Sequence, residues 1–378
     1  MNHKQRFHAT MHYQPRDRVP FIDFDIWPET LEVWRGQGLP PSISQCDLFR
    51  YFGMDYYFHD VTFATGTEME LFPRFEALVL EDRGDEEVVQ QADGVRVLRK
   101  KSMGSIPQHL GHLLTDRESW RKHYLPRLDP STPERMPADL AQRVAEWSQP
   151  DYPNLIVPWV GGLYGKIRDW MGLEQVSTVV YDDPAFFEEM VVTLADCIVG
   201  SLSRLLQAGA RVDACAMWED MCYNAGPLLS PRHFKRYLVP QYRRITDLLR
   251  GYGVDVIWVD CDGRIDKLIP LWMEGGVNTM FPVEIGSWGA DPLAFRREYG
   301  RDLLLMGGFS KRILAGDKAG ILKEIQRLTP LVEDGGYIPF CDHLVPPDVP
   351  LENYWFFWET VREFWGNGAD MAPMGALA

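Results

Sequence analysis

The residues best placed to do chemistry lie in the stretch VDVIWVDCDG at 254–263, where an apolar run ends in two acids around a cysteine. In an extended strand residues i and i+2 share a face, so Asp260 and Asp262 are expected to point the same way as Trp258. Cys261 then turns to the opposite side with Val259, as packing. Closely spaced carboxylates push each other's pKa values apart and leave one able to hold a proton near neutrality; they are also hard ligands for a metal. The structural alternative is an N-cap at Asp262 with Asp260 in an ion pair. Other apolar runs end the same way, in Asp23, Asp25 and Trp27, in Trp218, Glu219 and Asp220, in Glu284, and in Asp342 and His343. His343 could complete a proton relay or a metal site with Asp260 and Asp262, or be a hydrogen-bonded structural histidine.

Short apolar runs alternate with amphipathic stretches from about residue 150 onward, among them NLIVPWVG, ARVDACAMWED, NTMFPVEIG, DLLLMGGFS and YIPFCDH. The stretches between them, such as DPAFFEEMVVTLADCIVGSLSRLLQAG, SPRHFKRYLVPQYRRITDLLRGYG and DKAGILKEIQRLTPLVEDGG, end at glycine, and two open with Asp-Pro or Ser-Pro, as helix caps predict. With VPFIDFDIW counted there are roughly eight strand candidates, which fits an α/β chain folded as a (β/α)8 TIM barrel better than an open sheet. In such a barrel the strand ends gather the acids at one mouth. The whole chain, 1–378, is expected to form this single domain. Residues 60–107 break the rhythm with β-like alternation and an Asp93-Gly94 turn, predicting an inserted β-hairpin.

The chain carries 54 acidic residues against 39 Lys and Arg, a net charge of −15, which disfavours nucleic acid as a partner. No apolar run is long enough for a membrane span and the start is polar, so a cytoplasmic protein is expected. Its six cysteines have no CxxC spacing, indicating neither a disulfide framework nor a zinc ribbon.

Three ordered motifs carry a family resemblance. KQRFHATMHYQPRDRVPF, LLSPRHFKRYLVPQYRRI and GGYIPFCDHLVPPDVPLENY resemble segments of the uroporphyrinogen decarboxylase superfamily, over about residues 4–365. The resemblance implies a TIM barrel and at least two chemistries. The decarboxylases carry an Arg-Gln-Ala-Gly-Arg segment after the first strand, where this chain reads DFDIWPETLEVW. Arginine pairs bidentately with carboxylates, so an acidic replacement would repel a polycarboxylate substrate.

The corrinoid-linked methyltransferases of the superfamily instead hold zinc through His-x-Cys and a later Cys. Asp260, Asp262 and His343 stand near those places here, and carboxylates suit harder metals or none. The chain looks closer to the methyltransferase components of O-demethylases. That implies transfer of a methyl group from an O-methylated, methoxy-aromatic small molecule to the corrinoid (cobalamin) of a partner protein, with a divalent metal such as zinc as a further possible cofactor. Asp260, Asp262, Glu219 or His343 would then assist the leaving oxygen. Trp27, Tyr164, Trp170 and Trp258 would hold the ring, with Asp25 beside them and Arg168 pairing either a substrate anion or Asp169. Two rivals stand beside this reading: a cofactor-independent decarboxylase of another carboxylate, and a non-catalytic corrinoid- or tetrapyrrole-binding protein.

Overall fold

The computed structural model describes residues 1–101, 107–369 and 371–375. Its strands in chain order are β1 (Leu78–Asp82), β2 (Glu86–Gln90), β3 (Arg96–Lys100), β4 (Gln108–Gly111), β5 (Cys215–Trp218), β6 (Cys222–Tyr223), β7 (Gly226–Pro227), β8 (Ile257–Asp260), β9 (Thr279–Val283), β10 (Leu304–Gly307) and β11 (Tyr337–Ile338). Five of them run parallel in the order β11-β10-β9-β8-β5. Single parallel bridges carry the curve further: Trp159 meets Ala216 beyond β5, Phe309 meets Cys341, and Ile26 meets Val345. The first and last segments of the chain therefore adjoin, and the fold is an α/β TIM barrel.

Side-chain alternation sorts the strands into two cores. Val256 and Trp258 turn into the barrel interior with Ala216, Phe281, Met306 and Phe340, whereas Ile257, Val259 and Cys261 pack outward against the helices. Phe58 stacks on Phe281 at 5.0 Å inside the barrel. The helix Pro184–Gln207 starts at Asp183, whose carboxylate accepts the Phe186 N–H, with proline in its first turn. The helix Lys318–Asp334 is capped by Asp317 and ends at Gly335 with φ 98°. The stretch opening at Ser230 is not one regular helix: it widens into a π-type turn over Phe234–Leu238 before the helix Val239–Gly251. Pro240 lies at that junction and has no N–H to continue the ladder. None of the described helices is long and apolar enough to cross a membrane.

The inserted segment differs in extent from a hairpin over 60–107. Phe58–Thr62 is a helix, with Phe58 and Val61 buried in the barrel interior. β1 to β4 then form a four-stranded antiparallel meander in sequence order, whose last strand runs past residue 107. The Asp93-Gly94 turn joins β2 and β3, with Gly94 at φ 86°. Residues 102–106 of the interval lie outside the described residues.

The start of the barrel is locked by a buried charge cluster. Arg18 donates to both oxygens of Asp55, one of them at 2.9 Å, Arg6 reaches the same carboxylate at 3.3 Å, and the Phe21 N–H donates to it at 3.0 Å. Burial alone would raise the Asp55 pKa, but hydrogen bonds from His3 and Arg18 and the arginine charges hold it well below the carboxylate range. The stability this confers is present above the unfolded carboxylate pKa and is lost as pH falls towards the folded value. Asp55→Ala leaves the buried Arg18 guanidinium without a carboxylate, while Arg6 keeps Asp17 at 2.8 Å, and should cost about 3–5 kcal/mol in urea unfolding at neutral pH; a loss below about 1 kcal/mol would contradict this account.

Candidate functional site

The register of β5 against β8 sets Trp218 beside Asp260. Two residues further along each strand direction come Asp220 and Asp262, and the Asp262 N–H donates to Asp220 Oδ1 at 3.3 Å. One carboxylate oxygen from each of Asp220, Asp260 and Asp262 lies within 4.8 Å of the others. Asp260 is buried at the top of the barrel interior, above Trp258. Asp220 holds φ 40°, a left-handed conformation that aspartate tolerates better than most residues. Arg168 secures it by donating to the Asp220 carbonyl, while its other nitrogen pairs with Asp169 at 2.9 Å.

Crowding sets the electrostatics. Burial, and then the charges of Asp220 and Asp262, push the Asp260 carboxyl far above its ordinary range. Burial and the charge of Asp262 push Asp220 up to about 7. Three carboxylates this close in a low-dielectric pocket cannot all stay ionised alone; they keep a proton or share a cation. Oxygen donors from three sides suit a hard divalent cation, so the residues present fit such an ion as well as a proton.

His343 joins the cluster from outside. Its Nε2 lies 3.1 Å from Asp262 Oδ2, and its ring stacks on Trp27 at 5.8 Å, with the edge of Phe24 at 6.3 Å. Burial disfavours the imidazolium, but the hydrogen bond and charge of Asp262 outweigh it and raise the pKa. The other Asp262 oxygen is buried without a hydrogen-bond partner. Among the described residues the groups able to share one ion are thus Asp220, Asp260 and Asp262, rather than Asp260, Asp262 and His343. The histidine orients Asp262 instead of converging on the same point.

The remaining expected site residues divide. Trp27 and Asp25 stand at the mouth; the Asp25 carboxylate accepts from Tyr57 Oη at 2.7 Å and pairs with His59 at 3.1 Å. Trp258 forms part of the floor. Glu219 turns away from the cluster: its carboxylate accepts the Leu163 and Gly165 N–H groups at 2.8 and 2.7 Å and the Tyr242 hydroxyl, so it caps the helix Tyr164–Met171. A β-carbon on Gly162 would lie 1.8 Å from the Trp218 carbonyl, which is why that helix start needs glycine. Tyr164 and Trp170 lie in the outer core, with Trp170 packed 5.2 Å from Tyr124, and do not reach the cluster. Arg168 is spent on Asp169 and the Asp220 carbonyl. Asp23 faces the outer helices, where Tyr354 donates to it at 2.7 Å, and burial raises its pKa to about 7.

Sequence reasoning missed Asp220 as a member of the cluster, although its i+2 spacing from Trp218 is the same signal that picked out Asp262. It also missed the aromatic rim, where Phe63 is 53% exposed and lies 5.7 Å from Trp159 and 5.8 Å from His59.

The raised Asp220 pKa makes a stability prediction with a definite sign. Between the unfolded value near pH 4 and the folded value near 7, the unfolded chain ionises this group while the folded chain does not, so folding stability falls as pH rises through that window. Asp220→Asn fits the same backbone and removes the titrating carboxyl. The variant should match the parent at about pH 4 and exceed it by about 4 kcal/mol at about pH 8 in denaturant titrations; an advantage that does not grow with pH would refute the assignment.

Comparison with known proteins places these features. The uroporphyrinogen decarboxylase (URO-D) family model matches residues 168–364. The uroporphyrinogen decarboxylase of Gloeobacter violaceus is 25% identical over 224 residues, 58% of each chain. That of Thermus thermophilus is 26% identical over 192 residues, 50% of this chain and 52% of the relative. The chain spans about half the length of the curated relatives it matches. A methyltransferase from Methanosarcina mazei superposes with a TM-score of 0.57 at 15% identity, covering 96% of this chain and 99% of that one, and so shares the barrel. With more than half its length matched by the family model, the chain belongs to the uroporphyrinogen decarboxylase (URO-D) family.

Proposed function

We propose that this protein transfers a methyl group from an O-methylated small molecule, of the methoxy-aromatic type, to the cobalt of a corrinoid carried by a partner protein. The observation that carries this reading is the convergence of Asp220, Asp260 and Asp262 at the barrel mouth. Methyl loss from an ether leaves an alkoxide or phenolate, a poor leaving group until its oxygen is protonated or bound by a cation. A carboxyl that keeps its proton up to about 7 can supply that proton, and the same three oxygens could hold a divalent ion to the same end. The reduced corrinoid supplies the nucleophile and accepts the methyl group.

The chain's own side chains then have distinct tasks. Asp220 or Asp260 protonates the departing oxygen; Asp262, steadied by His343, keeps the cluster's charge in place; Trp27 and Trp258 line the space for an aromatic ring. The exposed rings of Phe63 and Tyr223 beside the mouth suit contact with a flat, largely apolar macrocycle. The barrel shared with a protein described as a methyltransferase gives a precedent for this class of reaction on the scaffold.

A decarboxylase is the second reading, favoured by the family's name. The cluster argues against a polycarboxylate substrate, because it would meet three acids where arginine forks would be needed. Incubating the protein with a methoxy-aromatic panel and cob(I)alamin should give methylcobalamin by its absorbance. Asp260→Asn and Asp262→Asn should each lower the rate by about 10²–10⁴-fold. Carbon dioxide release from a carboxylate panel without corrinoid, and no cobalt methylation by the folded protein, would favour the decarboxylase instead.

A further inference from the structure

A groove separate from the acid cluster runs between the barrel and the inserted sheet. It consists of two adjoining hollows, of about 190 and 250 Å³, that share Glu70 and Arg74. The first opens beside the mouth aromatics Phe63 and Trp159. The second continues beneath the Asp93-Gly94 turn, against Lys166 and Asp169. The Trp218 ring stands between groove and cluster: Lys166 Nζ lies over it at 4.5 Å, and so does the Arg168 guanidinium, at 5.4 Å, whose nitrogen also bonds the Asp220 carbonyl.

The charges along this groove are almost all spoken for. Glu68 pairs with Arg74 at 2.9 Å, Glu70 with Lys166 at 2.8 Å, and Asp169 with Arg168 at 2.9 Å. Asp93 is left over. One of its oxygens accepts the Val95 N–H at 3.0 Å, and among the described residues it forms no ion pair. Burial and the nearby charge of Asp169 raise its pKa against the smaller opposing effects of the Val95 hydrogen bond and the Lys166 charge, the direction expected of a carboxylate with no cation in contact. Lys166 is neutralised by Glu70 and shielded by Trp218, so a second anion in the groove would find less to hold it than a cation would.

We propose that this groove binds an organic ammonium group, primary or N-methylated, in its second hollow with Asp93 as the counter-ion, while the apolar remainder of the ligand passes Glu70 and Arg74 to the aromatic wall at Trp159 and Phe63 in the first. It thereby selects substrates that carry a cationic tail. That selection rests on the methyl-transfer reading; the binding site does not.

Calorimetry on the full chain separates the two. The probes are para-methoxyphenethylamine, para-methoxyphenylpropionate and para-ethylanisole, which differ in the charge of the tail. The amine should bind at least about tenfold more tightly than the other two, and Asp93→Asn should abolish that preference. The substitution leaves Asn-Gly, which serves this turn as well as Asp-Gly, so folding is preserved. Lys166→Met should leave the amine preference standing. The proposal is overturned if the amine binds no better than the neutral ether, if Asp93→Asn keeps the preference, or if the carboxylate binds best and loses affinity in Lys166→Met. Tight amine binding without methylation of cobalt would uphold the groove and remove the proposed reaction; equal methylation from neutral and cationic ethers, with no preference for the amine in binding, would do the reverse.

Discussion

The constraint on which the site depends is the parallel register of two adjacent strands. Because β5 and β8 pair with Trp218 opposite Asp260, residues just past each strand end are brought together whether or not their charges agree. Asp220, Asp260 and Asp262 are like charges forced into one small volume by backbone geometry. The ladder and the two cores flanking it supply the free energy that tolerates this repulsion, and the repulsion keeps a proton, or a place for a cation, at the mouth.

Several neighbours keep that arrangement from relaxing. Arg168 holds the carbonyl of the left-handed Asp220, and Glu219 pins the helix that carries Arg168 by accepting two of its first N–H groups. On the far side His343 restrains Asp262, with Trp27 packed on its ring. Glu284 receives the Gly263 N–H at 2.9 Å and pairs with Lys311 at 3.1 Å, fixing the loop just after Asp262. Most of the polar residues around the cluster thus position its members.

The inserted sheet extends the same economy of charge. It packs a turn and one carboxylate against a helix whose own charges are paired, and it gives the mouth a second wall. In the proposed reading the barrel supplies the reacting groups at strand ends, while the insertion supplies surface for the rest of a ligand. That division follows from rigid strands fixing short side chains well and added segments being free to vary around them.

Much of this was legible in the sequence. Alternation in VDVIWVDCDG placed Trp258 inside the barrel and Val259 and Cys261 outside, because the ladder over β8 is regular and its period is two. The same rule failed for Asp23, which turns towards Tyr354: its segment is tied to the sheet by a bridge at Ile26 and not by a continuous ladder, so parity is not enforced. Tyr164 and Trp170 sit on a helix whose orientation only its packing decides, and that packing sends them into the outer core. What the sequence determined by itself was therefore periodic and local: strands, caps, and which residues of a regular strand share a face. The meeting of Asp220 with Asp260 and Asp262, the withdrawal of Glu219 and the pairing of every groove charge but that of Asp93 were decided by tertiary structure, since each depends on distance between segments that the order of residues does not encode.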